Sequence, residues 1–232
     1  MRAVGRGAVY ANQSLDNVPS LEEAKTNEEK KTFHASERDT EGVEQTRAHY
    51  SEQISQVEPH SIIFVDESGV NIAMARVYAR APSGQRAYAA KPLRRGTTVT
   101  MIGALGLDGM IGTMTVKGST DGAVFRTYVE QVLAPQIRRG QVVVMDNLKP
   151  HKVAGIREAI ESAGAQLIYL PPYSPYLSAI EKCWGKVKGF LRAKAARSYE
   201  ALDQAITEAI VTITKTDALG WFTHCGCCGE TK

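Results

Sequence analysis

The sequence lacks long hydrophobic runs and has few cysteines, which excludes several classes of protein. No apolar run approaches the roughly 20 residues needed to span a bilayer, and the N-terminus lacks the hydrophobic region of a signal peptide. The 4 cysteines do not form a spaced disulfide framework, and we find no internal repeat or low-complexity tract. We therefore expect a cytoplasmic protein with reduced thiols and no membrane partner.

The cysteines near the C-terminus do not predict a metal site. They lie in the segment His224-Cys225-Gly226-Cys227-Cys228, and no second cysteine pair follows at a zinc-finger distance. The role of this segment stays open.

The charges are divided unevenly along the chain. Residues 1–60 carry 7 basic and 11 acidic side chains, whereas residues 61–232 carry 21 basic and 14 acidic ones, a net charge of +7. A basic domain of this size suits a polyanion such as nucleic acid, although charge alone is a weak indicator.

The same division suggests two parts. Residues 1–58 are mostly polar, and their sparse apolar stripe predicts one helix that ends before Pro59. Residues 59–232 contain the apolar segments of a folded domain, and we place the domain boundary here.

Two short apolar runs are each followed directly by an acid. Residues 142–145 predict a strand buried on both faces that ends at Asp146, and residues 62–65 repeat the pattern before Asp66. Gly69 then permits a turn. Both acids are therefore expected where a buried strand ends, although aspartates also occur at such ends simply as turn formers.

A third acid follows another strand. Residues 167–170 predict a strand, a proline-rich loop follows, and a helix that begins near Leu177 carries Glu181 in its first turns. The 34 residues between Asp146 and Glu181 are enough for a helix, a strand and this loop, so the carboxylates can converge. The alternative is that Glu181 is an ordinary exposed helix residue. Such a glutamate usually has a basic partner one turn later, and Glu181 has none in the sequence.

The remaining elements predict a mixed sheet. Strands at 97–105 and 111–116 form a hairpin around an Asp-Gly turn, and helices are expected at 121–134, 150–163, 177–191 and 199–214. Three strands, a helix, and then alternating strands and helices indicate an α/β fold. Between them, residues 70–96 form a long loop that is rich in arginine.

Three passages, FVDESG, VMDNLKPHK and LPPYSPYLSAIEKCWGKVK, carry a resemblance to a known family. Over roughly residues 45–222 the chain resembles the DDE transposases of the mariner superfamily, particularly the bacterial insertion-sequence branch. The resemblance implies that residues 59–232 are a catalytic domain with a ribonuclease H-like fold, a mixed sheet flanked by helices. The implied function is cleavage of DNA at element ends and joining of 3′-hydroxyls to target DNA.

The acids then have expected roles. Three converging carboxylates repel one another unless a cation lies between them, and hard oxygen ligands favour Mg²⁺ or Mn²⁺. The resemblance implies that Asp66, Asp146 and Glu181 are the catalytic residues and hold two such ions, with Asp66 bridging them. The family motif usually reads Asp-Leu-Asn-Pro-Ile-Glu before this glutamate, whereas residues 176–181 read Tyr-Leu-Ser-Ala-Ile-Glu, so a rigid proline is lost.

Neighbouring residues supply further candidates. Glu67, Asn147 and His151 are expected to orient the acids or to bind water, although each could also be a solvated loop residue. The candidates for contacts with the DNA backbone are Lys188, Arg192, Arg94 and Arg95, and the alternative for them is a solvated charged face.

The expected partners follow from the same resemblance. They are double-stranded DNA, a second copy of the chain in a homodimer that pairs two ends, and a separate upstream product that recognises the ends. That product is expected because the polar first residues are too few to hold a helix-turn-helix region. A nucleoid-associated location would follow. Two alternatives stay open: a catalytically silent remnant that only binds DNA, and a structure-selective nuclease of the same fold.

Overall fold

The computed structural model describes residues 36–228, which belong to one compact unit, Ala35–Lys232. The predicted N-terminal arm lies outside the described residues except for its helix. In the described range the strands are β1 (Ile62–Val70), β2 (Val99–Gly106), β3 (Gly109–Lys117), β4 (Val142–Met145) and β5 (Gln166–Tyr169). The α-helices are α1 (Glu41–Ser55), α2 (Gly122–Tyr128), α3 (Ile156–Ser162), α4 (Ala179–Lys194), α5 (Tyr199–Val211) and α6 (Lys215–His224).

The strands form one mixed sheet of five strands in the order β3-β2-β1-β4-β5. The hairpin β2-β3 is antiparallel, β2 also pairs antiparallel with β1, and β1, β4 and β5 run parallel. The first three strands follow one another with short or looped connections, whereas the parallel strands are reached through α2 and α3. The mixed sheet that the sequence predicts is confirmed.

The core lies on both faces of this sheet because successive side chains of a strand point to opposite faces. In β1, Ile62 and Phe64 pack with α1, α4, α5 and α6, whereas Ile63 and Val65 pack with α2 and α3. Phe64 makes an edge-on contact with Phe222 of α6, with ring centroids 5.3 Å apart. The central strands are therefore held from both sides, and their carboxyl ends are fixed in position.

The strand β1 is longer than the sequence suggests. It does not end at Asp66 but continues to Val70, because it keeps its antiparallel pairing with β2 up to the Val70–Val99 pair. This pairing partner is about 30 residues away in the chain, so the local sequence did not reveal the extension. Asp66 consequently lies within a strand and not at its end.

The helices predicted at 121–134 and 150–163 are both shorter in the structure. The segment after Asp121 is α-helical only to Tyr128 and then widens into a π-helical turn, Val129–Leu133, ahead of Pro135, which cannot donate a backbone hydrogen bond. The next helix begins at Ile156 because Gly155 has a left-handed φ of +96° and interrupts any helix that starts at Pro150.

The last predicted helix ends at Val211, and the sequence did not predict α6 at all. The helix α1, in contrast, lies where it was predicted. Within residues 36–228, no helix has the length and apolar character that crossing a membrane requires.

A polar network at its first turn holds α6 in place. Thr214 and Asp217 form a reciprocal capping box, and Asp217 Oδ2 also accepts a hydrogen bond of 2.5 Å from Lys186 Nζ of α4. The hydrogen bond from Lys186 is the largest cause that lowers the pKa of Asp217, to about 2. The ionised carboxylate therefore stabilises the folded state.

We predict that Asp217→Asn lowers the free energy of unfolding by about 1 kcal/mol at pH 7, because it removes a partly screened ion pair at a helix cap. The folded-state pKa lies below the ordinary value of 3.8, so this contribution is complete above pH 3.8 and disappears as the pH falls toward 2. Urea unfolding between pH 7 and pH 3, with Glu52→Gln on α1 as control, checks this. An equal loss at both pH values would contradict the ionic origin.

Candidate active site

Asp66 faces α4. It follows Ile62 and Phe64 in the alternation of β1, and these two residues pack on the side of the sheet that α4 covers. Its side chain is half-buried, and Asp66 Oδ2 accepts a hydrogen bond of 3.1 Å from Trp184 Nε1 of that helix. The alternation of one strand thus places a carboxylate against the helix that carries Glu181.

Asp146 lies beside Asp66 because β1 and β4 are parallel neighbours. The last paired residues of these strands are Val65 and Met145, and each acid comes directly after its paired residue. Asp146 Oδ1 also accepts a hydrogen bond of 3.1 Å from the backbone N–H of Leu148. The residue therefore does form the turn that the ordinary interpretation expects, and the same carboxylate still lies at the edge shared with Asp66.

Glu181 lies in the first turn of α4, which follows a short 3-10 turn, Pro175–Leu177. Backbone hydrogen bonds link this turn to the helix: the N–H of Ser178 donates to Pro175 (3.0 Å), and the N–H of Glu181 donates to Ser178 (3.3 Å). Ala179, which replaces the usual proline of the family motif, is completely buried. The Glu181 side chain is exposed toward the cleft described next.

The three acids line one cleft of about 430 Å³. Asn147 lines it as well, and the proline-rich loop forms a further wall with Pro171, Pro172, Tyr173, Ser174 and Pro175. Within residues 36–228, however, no three His, Cys, Asp or Glu side chains lie close enough together to hold a metal ion. The carboxylates therefore share a cleft without closing around one point.

The electrostatics show that the acids act on one another. Burial is the largest cause that raises the pKa of Asp66, and the nearby charges of Glu181 and Asp146 raise it further, to about 7. The backbone N–H of Glu67 and the charge of His151 oppose this rise. At neutral pH the Asp66 carboxylate is thus held in its charged form only at a free-energy penalty, which a cation in the cleft would relieve.

His151 is the buried partner of two acids. Its Nδ1 contacts Asp146 Oδ1, its Nε2 lies 3.8 Å from Glu67 Oε2, and its ring stacks on Phe125 with centroids 4.1 Å apart. Burial lowers the pKa of His151, but the contacts with Asp146 and Glu67 outweigh it and raise the pKa to about 9. His151 is therefore an imidazolium at neutral pH that neutralises part of the local negative charge.

The candidate DNA-binding residues fall into two groups. Arg95 and Arg192 line a second pocket of about 440 Å³ together with Lys91, which the sequence analysis had not selected. Arg94 and Lys188 are not among the residues that line this pocket. Arg197 donates hydrogen bonds to the backbone carbonyls of Ile72 and Met74, which anchors the start of the long loop near this pocket.

Trp184 is the contact that the sequence analysis missed. Its place four residues after Ile180 puts it in the apolar stripe of α4, which is typical of a core residue, and it is 1% exposed. The signal that could have revealed it is the indole N–H, because a buried indole usually needs an acceptor.

We predict that Asp66→Asn stabilises the metal-free protein at pH 8. The folded-state pKa of about 7 lies above the ordinary value of 3.8, so the stability contributed by Asp66 is complete below pH 3.8 and is lost as the pH rises to 7. The neutral amide escapes this loss, and we expect a gain of a few kcal/mol, at about 1.4 kcal/mol per pKa unit.

Urea unfolding in the presence of a chelator checks this gain, which should vanish at pH 4. Asp203→Asn on α5, which does not line the cleft, is the matched control. A variant that is no more stable than the parent at pH 8 would show that Asp66 carries no such penalty.

Comparisons with known proteins agree with this fold. The sequence profile of the DDE superfamily endonucleases matches residues 61–203. None of the curated proteins matches the chain.

Similar solved structures include the Mos1 transposase paired-end complex with left transposon end, with a TM-score of 0.72 at 16% identity over 88% of this chain. The Mos1 mariner paired end complex with Mn gives a TM-score of 0.71 at 18% identity over 89% of this chain and 66% of that one. The catalytic domain of Mos1 mariner transposase gives 0.58 at 15% identity over 84% of this chain and 92% of that one.

The chain spans 64% of the length of the first of these proteins. At these low identities the likenesses concern the fold alone, and they confirm the ribonuclease H-like fold that the sequence analysis predicts. Because the matched profile covers more than half of the sequence, the chain belongs to the family of DDE superfamily endonucleases.

Proposed function

We propose that this chain is the catalytic part of a DNA transposase of the mariner superfamily, in its bacterial insertion-sequence branch. It would cut DNA at the ends of an element and join the 3′-hydroxyls to target DNA. One observation carries the proposal: Asp66, Asp146 and Glu181, from three separate segments, line one cleft, where burial and the charges of the two other acids raise the pKa of Asp66 to about 7.

The chemistry of the three side chains fits a hard divalent cation, Mg²⁺ or Mn²⁺. All three candidate ligands are carboxylates, which these ions prefer, and the mutual repulsion of the acids is what a cation would remove. Two such ions, when bound, would activate a nucleophilic oxygen and stabilise a leaving one. The fold resembles a Mos1 complex that was solved with Mn, which supports the choice of ion.

The residues around the acids have positioning roles in this proposal. His151 holds the Asp146 carboxylate from the side of the sheet that α2 and α3 cover, and Glu67 in turn fixes the imidazolium. Asn147 lines the cleft directly after Asp146, where its amide can bind water or substrate.

DNA is the proposed partner, and α4 supports a path for it. Glu181, Lys188 and Arg192 are spaced by 7 and 11 residues, so they lie on one side of the helix, and Arg192 is about 16 Å from Glu181 along the axis. Lys91 and Arg95 enlarge the positive charge at that end. A duplex with a phosphodiester in the acidic cleft would thus meet a basic pocket further along its backbone, and Arg94 would extend this basic surface.

The assembly is part of the same proposal. Transposition joins two element ends, so we propose a homodimer, and the ends would be recognised by a separate upstream product. A protein that acts on chromosomal DNA in this way would be found in the cytoplasm with the nucleoid.

A second candidate, a remnant that binds DNA without cutting it, is favoured by one observation. No three candidate ligands in residues 36–228 are close enough to hold one ion. The two functions differ in a single measurable property, cleavage in the presence of a divalent metal.

We predict that the protein nicks a supercoiled plasmid carrying the element ends in Mg²⁺, and that Asp146→Asn removes this activity. The loss should exceed the roughly 10- to 100-fold effect typical of a residue that only supports a ligand. Asp203→Asn should cut like the parent.

Binding without cleavage by the parent would support the remnant. Cleavage that follows DNA shape and ignores the end sequence would support a structure-selective nuclease. Restoration of end-specific cleavage by the upstream product would support the proposed division of labour.

We predict that Arg192→Ala weakens binding to duplex DNA and lowers the slope of log K against log salt by about 0.9, the value for one lost phosphate contact. Fluorescence anisotropy at several salt concentrations measures this slope. Arg138→Ala, before the amino end of β4 and thus at the opposite end of the sheet from the cleft, is the matched control. Equal slopes for both variants would remove the basic pocket from the DNA path.

A further inference from the structure

Trp184 connects two of the proposed catalytic acids. It lies three residues after Glu181, close to one helical turn further along α4, and its indole N–H donates to Asp66 Oδ2 at 3.1 Å. One side chain thus links the strand that carries Asp66 to the helix that carries Glu181.

A glycine provides the space that the indole ring occupies. Gly103 of β2 is the cross-strand partner of Asp66, and a Cβ there would lie 2.8 Å from Trp184 Cη2 and 2.7 Å from Met110 Cε. Real Cβ atoms do not approach other atoms this closely, so any larger residue would displace the ring. Because Gly103 has no side chain, the far edge of the indole can lie against β2 while its N–H reaches the Asp66 carboxylate.

The chemistry of the contact is directional. An indole N–H is a donor only, so it binds a carboxylate oxygen and cannot compete with it for a cation. Phenylalanine would fill most of the same volume without this donor. The use of tryptophan at a completely buried position is therefore explained by Asp66 and not by packing alone.

We propose that Trp184, seated on Gly103, is a positioning residue that fixes the Asp66 carboxylate relative to Glu181 for binding of a divalent cation. The inference rests on the proposed metal-dependent function. It adds a buried residue that does not line the cleft and that acts through Asp66.

The test measures Mn²⁺ binding by the full chain, with free Mn²⁺ counted by electron paramagnetic resonance. Trp184→Phe keeps an aromatic ring and loses the donor, and we expect it to bind Mn²⁺ about 10-fold more weakly or worse, as for other residues that support a metal ligand. Trp221→Phe, on α6, is the control and should bind like the parent.

A second variant perturbs the same contact without removing either partner. Gly103→Ala pushes the indole away from Asp66 and should also weaken Mn²⁺ binding, even if Trp184→Phe fails to fold. Gly42→Ala on α1, where a Cβ meets nothing within 4 Å, is the matched control.

Fluorescence supplies an independent signature. In Trp221→Phe the only tryptophan is Trp184, and Mn²⁺ should quench its emission with the same midpoint as binding. In Trp184→Phe, the emission of Trp221 should not follow Mn²⁺ binding.

Two outcomes overturn the inference, and they can be told apart. If the parent binds Mn²⁺ and folded Trp184→Phe and Gly103→Ala bind it equally well, Trp184 is a core residue only and the proposed function stands. If the parent itself binds no Mn²⁺, the metal-dependent function fails and this inference fails with it.

Discussion

The burial of Asp66 close to two other carboxylates is the constraint on which the candidate site depends. Asp66 is half-buried, and burial together with the charges of Glu181 and Asp146 raises its pKa to about 7. Strand ends that were free to move would separate and so reduce the repulsion between these carboxylates. Here β1 and β4 cannot move, because both are pinned between apolar layers on the two faces of the sheet. The hydrophobic core thus stabilises an arrangement that electrostatics alone would disperse.

The polar contacts around the acids divide between the two faces of the sheet. On the α4 side, Trp184 holds Asp66 with a neutral donor. On the other side, the His151 imidazolium compensates the negative charges of Asp146 and Glu67, and its ring packs against Phe125. His151 therefore contacts Asp146 directly and acts on Asp66 only through its charge. A cation in the cleft would add compensation for Asp66.

The central strands and the start of α4 could be predicted from the sequence because they depend on local patterns of apolar residues and prolines. The apolar runs before Asp66 and Asp146 predicted the central strands, and the end of the proline-rich loop near Leu177 predicted the start of α4. The extension of β1 to Val70 depends on distant pairing with β2, which no local pattern encodes. The indole contact depends on Gly103, a strand glycine whose meaning appears only once β1 and β2 are aligned. What remained hidden is thus the set of contacts between residues far apart in the chain.

The start of α4 illustrates how a motif can change without losing its physical role. A proline in the first turn would fix one backbone angle, and Ala179 does not. The rigidity is instead supplied before the helix, where Pro175 opens a 3-10 turn whose backbone hydrogen bonds run through Ser178 to Glu181. Ser178 and Ala179 are also buried, so neither can move without opening the core. Hydrogen bonds and burial therefore orient Glu181 where the family motif uses a proline ring, and the altered wording of the motif does not by itself indicate an inactive protein.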